Sequence, residues 1–219
     1  MPSISLNTRH GRISAWLSRP HVTPKGAVIV IQEIFGLTPF VRGVADRFAN
    51  YGYVAIAPSL FDLVHPGTVL DHDEAGIARG REIREELGFN GALDGVRGAF
   101  DFLEAEHKVA TVGFCWGASV GFLANTRMGL PSVGYYGAQT VPLLKERPKA
   151  PMMLHFGEND ASIPPEDVAA HREALPAAEI HVWPDAGHGF AREGHPDHRP
   201  EAASQAMSRT LTFLQKNLR

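Results

Sequence analysis

The stretch TVGFCWGASVGF, Thr111–Phe122, sets an apolar run, a tight turn and a helix-forming segment end to end. The only cysteine of the chain, Cys115, stands in that turn between Gly113 and Gly117. A lone cysteine is ordinarily a small buried hydrophobe. One framed by glycines at a strand-to-helix boundary is a different object. Gly113-Phe114-Cys115-Trp116-Gly117 fits G-x-nucleophile-x-G, a strained turn whose flanking positions leave no room for side chains. Such a turn lifts Cys115 above the carboxyl ends of a sheet. It also places the thiol at a helix N-terminus, where the dipole and N–H groups favour a thiolate. The Trp116 N–H becomes a candidate oxyanion donor.

The same alternation runs through the rest of the chain. GAVIVIQE (26–33), GYVAIAP (52–58), HKVATVGF (107–114), SVGYYG (132–137), APMMLHFG (150–157) and AEIHVWP (178–184) read as short strands, most of them apolar enough to be buried on both faces. Helical patterns lie between them at 39–52, 91–106, after Cys115, at 164–175 and at 199–218. Strands alternating with helices predict an α/β fold, a mostly parallel central sheet with helices on both faces. The sequence shows no repeat or linker, so one domain over 1–219 is expected. The polar segment 61–88 is expected to cap the sheet edge or the active site.

Composition narrows the function. There are 21 basic and 24 acidic residues, a net charge of −3, and no basic stripe, which argues against a nucleic-acid partner. One cysteine excludes an intrachain disulfide. The first residues lack the apolar core of a signal peptide, and no run approaches the roughly 18 apolar residues of a membrane span. A cytoplasmic protein without a membrane partner, a monomer or weak dimer, is expected.

An elbow nucleophile needs an acid and a histidine, in that chain order. Eleven histidines cannot be sorted by composition, but position sorts them. His188 lies in PDAGHGF, a glycine-flanked loop after the last strand. Asp160 lies in GENDASIP, just past the strand 150–157. Glu158 is the rival acid and Asp185 a weaker one. The order Cys115, Asp160, His188 fits a nucleophile–base–orienter triad. The pair His195 and His198 lacks further ligands for a metal site, and His155 reads as a hydrogen-bonded core residue. No metal and no cofactor are expected. In QEIFGL, after the first apolar strand, the Ile34 N–H is the second candidate oxyanion donor. Glu33 is out of place there, since a carboxylate beside an oxyanion hole repels developing negative charge unless it has another task.

Together QEIFGL, GFCWG, GEND and DAGHGFAR resemble the dienelactone hydrolase (carboxymethylenebutenolidase) family of the α/β-hydrolase superfamily. The resemblance runs from Gly26 to the C-terminal helix. It implies a single-domain α/β-hydrolase fold and a Cys-His-Asp triad that opens a lactone through an acyl-enzyme. It implies that Glu33 takes part in activating the thiol, that Arg192 holds a substrate carboxylate, and that Phe35 lies among the substrate-binding residues. Arg79 and Arg81 are the candidates for the family's second arginine. Two features depart from the family: Ala118 stands where a glycine is common, and no Tyr and Trp follow Arg79 and Arg81. The second departure favours lactone or ester hydrolysis in general over dienelactone itself. The substrate class is therefore a small activated lactone or ester. The alternatives are a broad carboxylesterase or thioesterase on the same fold, or a ligand-binding protein with a disabled site. Thiolates leave easily from tetrahedral intermediates, so a peptidase is disfavoured.

Overall fold

The computed structural model describes residues 3–218, which form eight strands and five helices. The chain divides into two compact units. One runs to Val109 and takes back Leu218; the other is Ala110–Asn217.

The first unit opens with a hairpin that is not among the strands expected from the sequence. β1 (Ser3–Thr8) pairs antiparallel with β2 (Gly11–Ser18), and β2 pairs antiparallel with β4 (Val54–Pro58). β4 runs parallel to β3 (Ala27–Ile31). The period-2 signal was present: Ile13, Ala15 and Leu17 are buried and alternate with more exposed neighbours. The hairpin's first strand is mostly exposed, and its alternation is too short to stand out. β3 and β4 are buried at every position, which matches their continuous apolar runs. Helix α1 (Pro39–Asn50) starts where Thr38 accepts from the Val41 N–H and Pro39 supplies the first turn. It buries Val41, Val44 and Phe48.

Helix α2 corrects the expected boundary at Gly91. It spans Glu74–Leu103 with a break at Gly88 (φ 63°, ψ 173°), and Asp73 caps it through the Gly76 N–H at 2.7 Å. The first half escaped notice because its buried face contains Gly76 and Gly80 beside Ile83 and Leu87. Glycines read as helix breakers. Here they permit close approach: a Cβ at Gly80 would collide with the Ile34 carbonyl, and one at Gly76 with the Asp71 carbonyl. The segment expected to be a cap thus holds a short 3₁₀ turn (Leu60–Leu63), a loop and half a helix. The loop lies antiparallel on the turn after β3, with Leu70 N–H donating to Phe35 O at 2.9 Å and a bridge between Gly36 and Val69.

The second unit is all parallel. β5 (Val109–Phe114), β6 (Ser132–Tyr135), β7 (Met152–Gly157) and β8 (Glu179–Trp183) lie in the order β5-β6-β7-β8. The connecting helices are α3 (Trp116–Met128) and α4 (Pro165–Ala174), with α5 (Pro200–Asn217) after β8. β5, β6 and β7 are buried throughout, while β8 is partly exposed. Among the described residues no helix is long and apolar enough to cross a membrane.

In the first unit one carboxylate ties the loop to the sheet. Asp62 accepts from Ser14 N–H at 2.8 Å, Ser14 Oγ at 2.5 Å, Ser59 Oγ at 2.8 Å and Gly67 N–H at 2.8 Å. Burial opposes its charge, but the hydrogen bonds from Ser14, Gly67 and Ser59 outweigh it and hold the carboxyl below the usual 3.8. A depressed pKa contributes stability above 3.8 that is lost as pH falls through the folded value. Asp62→Ala is expected to cost about 2 kcal/mol at neutral pH and clearly less near pH 3, read from urea unfolding at both pH values.

Candidate active site

The strand-to-helix turn after β5 has the geometry that its sequence demands. Cys115 sits at φ 53° and ψ −121°, a conformation rare outside glycine, and forms the N-cap of α3. A Cβ at Gly113 would overlap the Gly117 carbonyl, so the crossing is open only to glycine. Cys115 N–H donates to Tyr135 O at 2.9 Å, and Ala118 N–H donates to Cys115 O at 3.0 Å. These bonds hold the turn between β6 and α3. The thiol is half-buried, and Trp116 opens the helix, where backbone N–H groups point out of its end.

Asp160 lies three residues past β7, with its side chain fully buried. Its Oδ1 accepts from Ser162 N–H at 2.8 Å, and its Oδ2 is 2.9 Å from His188 Nδ1. His188 Nε2 is 3.2 Å from Cys115 Sγ. The structure thus brings together the three residues singled out in the sequence, all within the second unit and all just past strand carboxyl ends. The rivals are engaged elsewhere: exposed Glu158 accepts from Asp185 N–H at 3.3 Å. The His188 loop turns through Gly189 at φ 77° and is anchored by fully buried Phe190. Arg192 is 8% exposed, not the surface arginine that a loop position suggests, and its N–H donates to Gly189 O at 2.9 Å.

The remaining candidates belong to the first unit. Glu33 is 2% exposed, and His72 Nε2 lies 3.7 Å from its Oε2. The His72 ring also lies against Phe35, centroids 4.2 Å apart. Nothing local in the sequence links His72 to Glu33. Ile34 and Phe35 are buried. Arg79 is exposed and turned to Glu82 at 2.9 Å and to His65, and Arg81 is exposed on α2. His195 Nδ1 accepts from Asp197 N–H at 3.1 Å, a turn contact.

Electrostatics follow from the geometry. Burial disfavours a charged His188, but its hydrogen bonds to Asp160 and Cys115, with their charges, outweigh burial and raise its pKa to about 10. A raised imidazole pKa contributes stability that is full below about 6.5 and is lost as pH rises through about 10. The stability gap between the wild type and His188→Gln is therefore expected to be wider at pH 6 than at pH 10. Urea unfolding at the two pH values measures it, and an equal gap would contradict the assignment.

The profile of the dienelactone hydrolase family matches residues 13–218, a span that runs through both units. The carboxymethylenebutenolidase of Pseudomonas putida is 29% identical over 223 residues, covering 96% of this chain and 94% of its own. That of Pseudomonas sp. strain P51 is 32% identical over 217 residues, covering 94% and 91%. The crystal structure of a provisionally named dienelactone hydrolase from Klebsiella pneumoniae superposes with a TM-score of 0.85 at 27% identity, covering 97% of this chain and 96% of that one. A parallel-stranded α/β scaffold, a cysteine elbow and this span of similarity have one reading: the chain belongs to the dienelactone hydrolase family, with its α/β-hydrolase fold, and is a carboxylic ester hydrolase.

Proposed function

We propose that the protein, working as one domain, opens a small activated lactone or ester through a Cys115–His188–Asp160 triad. The observation that carries the reading is the chain of contacts from Cys115 Sγ to His188 Nε2 at 3.2 Å and from His188 Nδ1 to Asp160 Oδ2 at 2.9 Å. With the proton on His188, Cys115 attacks as the thiolate of an ion pair. The S–C bond forms, and charge collects on the carbonyl oxygen, which the Trp116 and Ile34 N–H groups are proposed to hold. The C–O bond then breaks, and the leaving enolate or alkoxide takes the His188 proton. Water attacks the thioester and gives a proton to His188, and the acid departs with the thiolate restored. Asp160 keeps the ring in the orientation that serves both steps.

Glu33 enters by its match to the family glutamate, as a participant in thiol activation. Arg192 enters by its match to the family arginine, as the group that binds a substrate carboxylate in a charge-assisted pair. Phe35 is proposed to contact substrate. Arg79 and Arg81 are weaker candidates, being exposed on α2. No cofactor takes part in these steps. The absence of a Tyr and a Trp after the α2 arginines keeps a broader esterase or thioesterase activity as the second reading.

A hydrolysis panel of cis- and trans-dienelactone, aryl esters and acyl thioesters separates the two readings. Cys115→Ala is expected to abolish turnover on every substrate, and Asp160→Asn to lower kcat by about 10⁴, as in serine triads. Full turnover by Cys115→Ala would end the triad assignment. Intact-mass detection of an acylated wild-type enzyme checks the intermediate.

Arg192→Ala tests the substrate class. Losing a charge-assisted pair costs about 1.5–3 kcal/mol, or roughly 10- to 150-fold in kcat/KM. That loss is expected for carboxylate-bearing lactones, with neutral aryl esters nearly unaffected. Equal losses on both would make Arg192 a structural residue.

A further inference from the structure

Four rings stand in a row across the second unit's sheet. Phe114, Tyr135, His155 and His181 occupy matched register positions on β5, β6, β7 and β8. Successive ring centroids are 4.8, 4.7 and 5.3 Å apart. In-register neighbours share one face of a sheet. Trp183, two residues beyond His181, shares that face, and its indole N–H donates to His155 Nδ1 at 3.3 Å.

That bond sets the tautomer. An indole nitrogen can only donate, so Nδ1 is bare and the neutral ring carries its proton on Nε2. Nε2 faces Thr210 Oγ1 on α5 at 3.3 Å, and Thr210 Oγ1 lies 2.7 Å from Tyr135 Oη. His155 is wholly buried. Burial, with His181 and Arg209 adding to it, pushes its pKa well below the ordinary imidazole range and keeps it neutral.

The row meets the candidate catalytic groups on both sides. Tyr135 O accepts the Cys115 N–H at 2.9 Å, and His155 O accepts the Tyr136 N–H at 2.8 Å. The Tyr136 ring lies 5.1 Å from the His188 ring. Phe190, two residues after His188, lies against Tyr135, Tyr136 and Trp183.

We propose that His155 is a positioning residue, locked as the Nε2–H tautomer between Trp183 and Thr210, and that it clamps the end of β6 so that Cys115 and His188 keep their separation. The proposal rests on the reading of those two residues as nucleophile and base. No proton travels through the row; its part is geometric. A displacement on the order of 1 Å between reacting groups can cost about 10²-fold in rate, which is the scale on which a buried clamp matters.

Thr210→Val keeps the side-chain shape and removes the acceptor. It is expected to lower kcat about tenfold or more with KM within about twofold, and Thr210→Ser is expected to restore it. Nitrogen-15 spectra of labelled histidine supply a second readout. In the wild type His155 should show a protonated Nε2 and a bare Nδ1, and in Thr210→Val the His188 Nδ1–H resonance should move. A wild-type kcat with an unmoved His188 resonance in Thr210→Val overturns the proposal, as does an Nδ1–H tautomer of His155. So does a kcat loss that merely equals the unfolded fraction seen by circular dichroism. Full turnover by Cys115→Ala would instead remove the triad reading, while the His188 resonance still reports on the clamp.

Discussion

A cysteine held at positive φ is the constraint from which the second unit's arrangement follows. Cys115 at φ 53° carries strain of order 1–3 kcal/mol, as side chains in sparsely populated backbone regions do. The strain persists because its surroundings over-determine it. The strand before Cys115 is buried at every position, the helix after it starts at once, and the residue's N–H is held by Tyr135 O. Gly113 must lack a Cβ for the chain to pass Gly117. Given that turn, Sγ has one direction to point, and any partner must approach from the loops past the carboxyl ends of the neighbouring strands.

Strain elsewhere in the chain obeys the same geography. The three non-glycine residues with positive φ among the described residues are Cys115, Tyr136 and Asp185, which follow β5, β6 and β8. None stands at an amino end of a strand. The parallel sheet supplies rigid strands whose exits are sharply bent. The bends bring Cys115, the ring of Tyr136 and the loop of His188 within reach of one another. Asp160 completes the set from the exit of β7, where its second oxygen is occupied by the Ser162 N–H. A carboxylate fixed at both oxygens cannot turn away from the imidazole.

Much of this was legible from local patterns. The parallel strands announced themselves as short apolar runs, and the elbow as two glycines around Cys115. Asp160 and His188, which the structure brings to Cys115, stand just after strands in the sequence as well. What escaped depended on contacts between residues far apart in sequence. The β1–β2 hairpin is a partly exposed edge whose alternation competes with no strong turn signal. The first half of α2 hides its inner face behind Gly76 and Gly80, which only the packed structure shows to be points of close approach. His72 meets Glu33 across 39 residues of chain, a distance that no periodicity spans. His155 read as a core histidine, and it is buried and hydrogen bonded, but its tautomer is dictated by Trp183, which only the fold brings near.

The solitary thiol has a consequence in redox terms. Cys115 is half-buried beside an imidazole rich in protons, and the 219 residues contain no second cysteine. Peroxide acting on such a cysteine yields a sulfenic acid, which ordinarily escapes further oxidation by condensing with a neighbouring thiol. Within this chain no such thiol exists. Return to the reduced state therefore depends on a small thiol small enough to reach the turn after β5. Without one, oxidation proceeds to the sulfinic and sulfonic acids, and the exposure of the thiol sets how long the residue survives.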